Sequence, residues 1–122
     1  MKICITSVGN NLDSQIDLRF GRCQYFIIFD DEHDTFEAIA NPNVEVGSGA
    51  GIQSAQLVLT KKPSLLITGE VGPKAEKVLK TTKLQIFTNE SGSVKEIIEK
   101  YRSNNRKTKN AAANTSNKTD MK

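Results

Sequence analysis

Tryptophan is absent from this 122-residue chain, histidine occurs once, cysteine twice and proline three times. Each scarcity excludes something. A closed structural zinc site takes four Cys or His ligands, and Cys4, Cys23 and His33, with no CxxC pair, do not supply one. Two scattered thiols allow one disulfide at most, and a cytosolic chain keeps such thiols reduced. No apolar run approaches the ~20 residues that a bilayer-spanning helix needs. The opening MKICITSVGN has neither the apolar core nor the small-residue cleavage site of a secretory signal. The chain is therefore expected to be cytoplasmic, with no membrane partner.

What is present fits one globular domain of about 100–150 residues. The net charge of +3 is unevenly spread. Residues Arg102 to Lys122 carry six basic side chains and one acidic, which leaves 11 basic and 13 acidic in the body. The body is slightly acidic and the tail basic, so the basic character of the whole does not mark a nucleic-acid surface. No aromatic residue is interleaved with the tail charges to stack on bases. The apolar pattern stops after Tyr101, and residues 103–122 are expected to form a disordered tail that cannot repay its ordering entropy.

Hydrophobic periodicity divides residues 1–102 into eight elements. Ile3–Val8 reads as a first strand, Tyr25–Phe29 as a second covered on both faces, and Thr35–Ala40 as a third closing a hairpin. A glycine-rich stretch, Val46–Gln53, leads into a helix with Ile52, Ala55 and Leu59 on one side. Leu65–Ile67 is a short buried strand. Pro73 suits the first position of a second helix, whose stripe is Ala75, Val78 and Leu79. Leu84–Phe87 is a fifth strand. Ser93 and Glu96 form a capping box before Val94, Ile97, Ile98 and Tyr101 at helical spacing. The order β-β-β-α-β-α-β-α predicts an α/β fold: a mixed five-stranded sheet, order 3-2-1-4-5, strand two antiparallel, helices on both faces. That is the topology of the ribonuclease-H-like motif.

The same topology gathers four connections at one end of the sheet: Gly9–Gln24, Asn41–Gly49, Gly69–Gly72 and Thr88–Gly92. Ligands of open α/β sheets bind at this carboxyl end. GSGAGIQ at Gly47–Gln53 opens a helix, and its bare N–H groups and dipole favour an anion. It is neither GxGxxG nor a P-loop. VGPKA at Val71–Ala75 opens a second helix with Lys74 in its first turn, where a cation is mildly unfavourable unless an anion is bound. Arg19 and Arg22 of RFGR lie at the same end. Cys23 follows directly and is either a thiolate of lowered pKa beside two arginines, able to ligate a soft metal, or a small apolar residue at a strand start. Cys4, mid-strand, reads as core. Asp13 and Asp17 sit in a loop, without the strand-borne carboxylates of a two-metal nuclease. The hairpin tip around His33 lies at the far end and reads as a solvated turn. No nucleophile–base pair is evident, so no enzyme is expected.

MKI at the start, LDSQIDLRFGRCQYFIIFD at Leu12–Asp30, NPN at Asn41–Asn43, GSGAGIQSAQ at Gly47–Gln56, ITGEVGPKA at Ile67–Ala75 and SVKEIIEKY at Ser93–Tyr101 follow in an order that resembles one family. It is the dinitrogenase iron–molybdenum cofactor biosynthesis family, which includes NifX-type carriers and the C-terminal part of NifB. The likeness spans about residues 1–101 and looks most like the short stand-alone members, similar to orange protein. It implies a ribonuclease-H-like fold without nuclease activity, and a non-catalytic carrier or chaperone. The implied ligand is an anionic metal–sulfur cluster, iron–sulfur or molybdenum-containing, held without covalent capture. The implied contacts are Arg19, Phe20, Gly21, Arg22 and Cys23, then Gly49, Ala50, Gly51, Ile52 and Gln53, then Gly69, Gly72, Pro73 and Lys74, with Cys23 as the metal ligand. Implied partners are cluster donor and acceptor proteins, a Mrp-type cluster-carrier ATPase among the candidates, and the chain itself is expected to be a monomer. The alternative is a regulatory or scaffold domain that binds a small phosphate-bearing ligand or a partner protein.

Overall fold

The computed structural model describes residues 1–102; the expected tail lies outside the described residues. The strands are β1 (Lys2–Ser7), β2 (Tyr25–Asp30), β3 (Thr35–Ala40), β4 (Leu65–Ile67) and β5 (Gln85–Phe87). The helices are α1 (Ala50–Thr60), α2 (Pro73–Leu79) and α3 (94–102). One sheet runs β3-β2-β1-β4-β5. β1 pairs antiparallel with β2 and parallel with β4; β2–β3 is antiparallel and β4–β5 parallel. This is the mixed α/β sheet of the ribonuclease-H-like motif that the element order predicts.

Alternation along β1 explains the two-sided core. Ile3 and Ile5 face one way, with Ile27, Phe29, Leu65 and Ile67, and α3 covers them with Val94, Ile97, Ile98 and Tyr101. Cys4 faces the other way, with Phe26, Ile28 and Leu66, under Ala55 and Val58 of α1 and Ala75 and Leu79 of α2. Each fully buried Leu, Ile or Phe contributes roughly 1.5–3 kcal/mol. The capping box forms as expected: Glu96 N–H donates to Ser93 Oγ at 3.1 Å, and Ser93 N–H to Glu96 Oε1 at 3.0 Å. Four strand ends differ by a residue: β1 takes in Lys2 and β2 takes in Asp30, while Val8 and Leu84 fall outside β1 and β5. Val8 leaves β1 because its N–H donates to Gln15 C=O at 3.0 Å, outside the ladder with β2. Leu84 stays outside β5, its N–H donating to Thr82 Oγ1 at 3.3 Å. No helix of the described residues is long and apolar enough to cross a membrane.

Candidate functional site

The expected convergence of loops is built from backbone hydrogen bonds. The segment from Gly9 to Gln24, which reads as a long polar connection, is pinned at several points. Ile16 N–H donates to Gly92 C=O at 2.8 Å, and Asp17 N–H to Thr6 C=O at 2.9 Å. Glu70 N–H donates to Leu18 C=O at 2.8 Å, while Phe20 N–H donates to Glu70 C=O at 3.1 Å. Ile16 and Phe20 anchor the segment in the cores on either side of the sheet. Gly69 sits so close beneath it that an added Cβ would fall 2.5 Å from the carbonyl oxygen of Leu18.

Between the RFGR turn and the starts of α1 and α2 lies an open depression of about 360 Å³. It is lined by Arg19, Phe20, Gly21, Arg22, Gly49, Ala50, Gly51, Glu70 and Gly72. Eight of these are sequence-predicted site residues; Glu70 is the addition. Gly49, at φ 78, caps α1 with no side-chain hydrogen bond. Ala50 and Gly51, read as loop, already belong to the helix. The first intrahelical bond is Gln53 N–H to Gly49 C=O at 3.0 Å. The N–H groups of Ala50, Gly51 and Ile52 thus have no acceptor within the helix. Gly72 precedes α2 with no side-chain cap either.

The charges are less symmetric than the sequence suggests. Arg19 has a side chain 60% exposed, tethered weakly through Nε to Asp17 Oδ1 at 3.4 Å. Arg22 turns inward: Nη1 donates to the carbonyls of Val46 at 2.7 Å and Val44 at 3.1 Å, and Nη2 to that of Gly47 at 3.4 Å. It clamps the loop before α1. Lys74, Pro73, Ile52, Gln53 and Gly69 are not among the lining residues.

Cys23 departs furthest from expectation. It is 0% exposed and packs in the core with Cys4, Phe20 and Phe26. Both cysteines are free. Burial pushes the Cys23 thiol up, with Cys4 and Asp17 adding to the effect. The lowering expected from two neighbouring arginines does not occur, because Arg19 turns to Asp17 and Arg22 to the backbone. Cys23 here is a packed thiol beneath the depression, not a thiolate within it.

Sequence reasoning missed the polar girders below the site. Asn41 Nδ2 donates to Cys23 C=O at 2.9 Å and to Gly21 C=O at 3.2 Å. Its Oδ1 accepts from Asn43 N–H at 3.0 Å. Ser54 of α1 donates to Gly21 C=O at 2.9 Å, joining helix to turn. The buried carboxylate of Asp17 accepts from the N–H groups of Arg19 and Gln24, both at 3.2 Å, and so ties the two ends of the turn. The only earlier signal was that these polar residues lie within the stretches that resemble the family. At the opposite end, Asp30, Glu32 and His33 bring their polar atoms within 4.8 Å of one another. They are outside the candidate site, as expected.

Topology and depression together define a small α/β domain of ribonuclease-H-like topology whose site is walled by backbone at the carboxyl edge of the sheet. Residues 1–104 match the family described as "Dinitrogenase iron-molybdenum cofactor", and the chain belongs to it. It is similar to the apo form of the orange protein from Desulfovibrio gigas: 30% identity, TM-score 0.80, covering 84% of this chain and 88% of that one. It is also similar to a putative NifB protein from Thermotoga: 32% identity, TM-score 0.73, covering 84% and 87%. An uncharacterized protein of Methanocaldococcus jannaschii is 29% identical over 104 residues, 83% of this chain and 85% of that protein.

Proposed function

We propose that this protein is a non-catalytic carrier that holds an anionic metal–sulfur cluster in the depression between RFGR and α1. The observation that carries the reading is the start of α1. Its first N–H groups lack helical acceptors and side-chain caps, and two of the residues that bear them, Ala50 and Gly51, line a depression that Arg19 shares. Such amides and the helix dipole attract negative charge, and Arg19 adds directed donors. Family membership supports a cofactor-related role with an iron–molybdenum cofactor or a related cluster as cargo, and the orange protein it resembles is described in an apo form.

Each residue has a distinct task in this reading. Arg19 meets the cargo, and Gly21, Gly49 and Gly51 let it approach the backbone. Asn41, Ser54 and Asp17 hold the turn in place, and Arg22 holds the loop that delivers α1. Glu70 places a carboxylate on the rim, which weakens retention and suits a cargo that must be handed on. The cluster is held by hydrogen bonds and charge, with the Cys23 thiol as packing beneath.

Burial of Cys23 favours a second reading, because it leaves no soft ligand among the lining residues. A regulatory or scaffold domain that takes a small phosphate-bearing ligand would use the same amides and Arg19. One experiment separates them. The protein is offered iron with sulfide, or tetrathiomolybdate with copper, under anaerobic conditions, then desalted and examined by visible spectrum and elemental analysis. Phosphate and nucleotides are titrated in parallel against amide shifts of Gly49–Gln53. Stoichiometric metal with a charge-transfer band supports the carrier. Metal-free protein with saturable phosphate shifts sinks it in favour of the second reading.

A further inference from the structure

β3 is an outer strand of the sheet, and among the described residues nothing pairs with its free edge. The register with β2 fixes which backbone groups that edge offers. Asn41 N–H donates to Gln24 C=O at 2.9 Å, one step beyond the Tyr25–Ala40 pair. Inward-bonded residues alternate along an antiparallel strand. Positions 35, 37 and 39 therefore bond to β2, and Phe36, Ala38 and Ala40 turn their N–H and C=O groups outward. Natural edges are usually blunted by charged side chains, especially Lys, by Pro, a bulge or short length. β3 has six residues in unbroken register, contains neither Lys nor Pro, and has one charge, Glu37, which is paired within the chain to Lys61. The other edge, β5, has only three.

Side chains of the same three residues share one face. Phe36 is opposite Phe29, Ala38 opposite Ile27 and Ala40 opposite Tyr25, on the side where α3 covers Ile27 and Phe29. Phe36 remains 41% exposed. On the other face Glu37 is matched by Lys61, Nζ to Oε2 at 3.2 Å.

We infer that β3 pairs antiparallel with β3 of a second copy, about a twofold axis at Ala38, so that two five-stranded sheets become one continuous sheet. A twofold perpendicular to the sheet keeps like faces together. It sets Ala38 against Ala38, Phe36 against Ala40 and Glu37 against Ile39. Every outward-turned residue then meets a hydrogen-bonding counterpart, and Phe36 gains an apolar neighbour. Centring the axis on Glu37 instead would oppose two carboxylates, which is destabilising. Asp34, at φ 57, and Pro42 bound the extended stretch on either side, so few other registers keep as many pairs. The expected monomer is the competing outcome. This inference is independent of what the depression binds.

The test is the mass of the full chain by light scattering and sedimentation, from ~10 μM to ~1 mM, a span that covers weak self-association. The mass should climb from 13.4 kDa toward twice that value. Ala38→Pro removes an N–H that faces away from β2, so its own ladder is kept while outer pairing is lost. It should stay at the single-chain mass with an unchanged circular dichroism spectrum. Phe36→Lys, a charge on the free edge, should shift the association at least tenfold and decides the matter if the proline variant fails to fold. A wild-type chain at single mass throughout, as an edge reserved for another protein's strand would give, overturns the proposal. So does a dimer that both variants leave unchanged.

Discussion

Gly21 and Gly51 meet backbone to backbone: a Cβ on Gly21 would stand 2.9 Å from the Cα of Gly51. The RFGR turn and the first turn of α1 are therefore one unit, joined by close approach rather than by a side chain. Gly51 in turn lies against α2, where an added Cβ would come 3.3 Å from that of Ala75. The floor of the depression depends on three segments touching without side chains between them.

Gly21→Ala should destabilise the fold by about 1–3 kcal/mol, the usual range for forcing a methyl into packed space. Gly69→Ala should cost at least as much, since its Cβ would fall within 2.6 Å of two Leu18 backbone atoms. Gly72→Ala meets nothing within 4 Å and should stay within about 0.5 kcal/mol of wild type. Urea unfolding of the three variants checks the ranking. Equal stability of all three would mean that the turn and α1 are not in contact.

The two arginines should separate by phenotype. Arg22→Gln loses three hydrogen bonds to the carbonyls of Val44, Val46 and Gly47 and should lower stability by about 1–2 kcal/mol. Arg19→Gln loses only a largely exposed ion pair, worth under about 1 kcal/mol. It should instead reduce retention of tetrathiomolybdate about tenfold, or roughly 1.4 kcal/mol. Melting curves and equilibrium dialysis give the two readouts. The reverse pattern would mean that Arg22 leaves its carbonyls to meet the cargo.

The sheet was legible in the sequence because its signals are local. β2 is apolar on both faces, β4 is three buried apolar residues, and Ser93 announces α3. Topology then followed from handedness, and with it the end of the sheet where the loops meet. The roles within that end were not legible, because adjacency along the chain is not adjacency of charge. Arg22 and Cys23 are neighbours in sequence, yet one turns to carbonyls and the other into the core. Asn41 and Asp17 carry residue types common in exposed turns. Only their long-range partners, Gly21 and Gln24, reveal them as buried supports.

Burial and a raised pKa make Cys23 and Cys4 poor nucleophiles at neutral pH. An aromatic disulfide reagent should therefore react with neither thiol in the native chain and with both in denaturant. Cys23→Ala should cost stability through a small cavity, roughly 1 kcal/mol, while leaving anion retention within about twofold. Rapid modification of one thiol at pH 7 would return Cys23 to the site as a ligand.

Glu90 fastens α3 to the sheet, and its chemistry sets how the fold responds to acid. The Tyr101 hydroxyl donates to Oε2 at 2.5 Å, and Lys100 Nζ approaches the same oxygen at 3.0 Å. The Tyr101 ring also packs on Phe87 of β5, centroids 4.9 Å apart. The Tyr101 hydrogen bond, more than Lys100, holds the Glu90 carboxyl below its ordinary 4.5. A carboxyl whose pKa falls on folding stabilises the native state above its unfolded value, and that gain disappears as pH falls through the lower folded value. Tyr101 behaves oppositely: burial, then Glu90, pushes its phenol above the ordinary 10.0, so its contribution is lost only as pH rises past 10. Glu90→Gln should thus lower stability at pH 7 by about 1 kcal/mol. The gap from wild type should begin to close as pH falls below about 4.5 and go on closing through the lowered folded value. Chemical denaturation at four or five pH values measures both limbs. A gap that stays constant down to pH 3 would mean that the ionised carboxylate of Glu90 does not hold α3 in place.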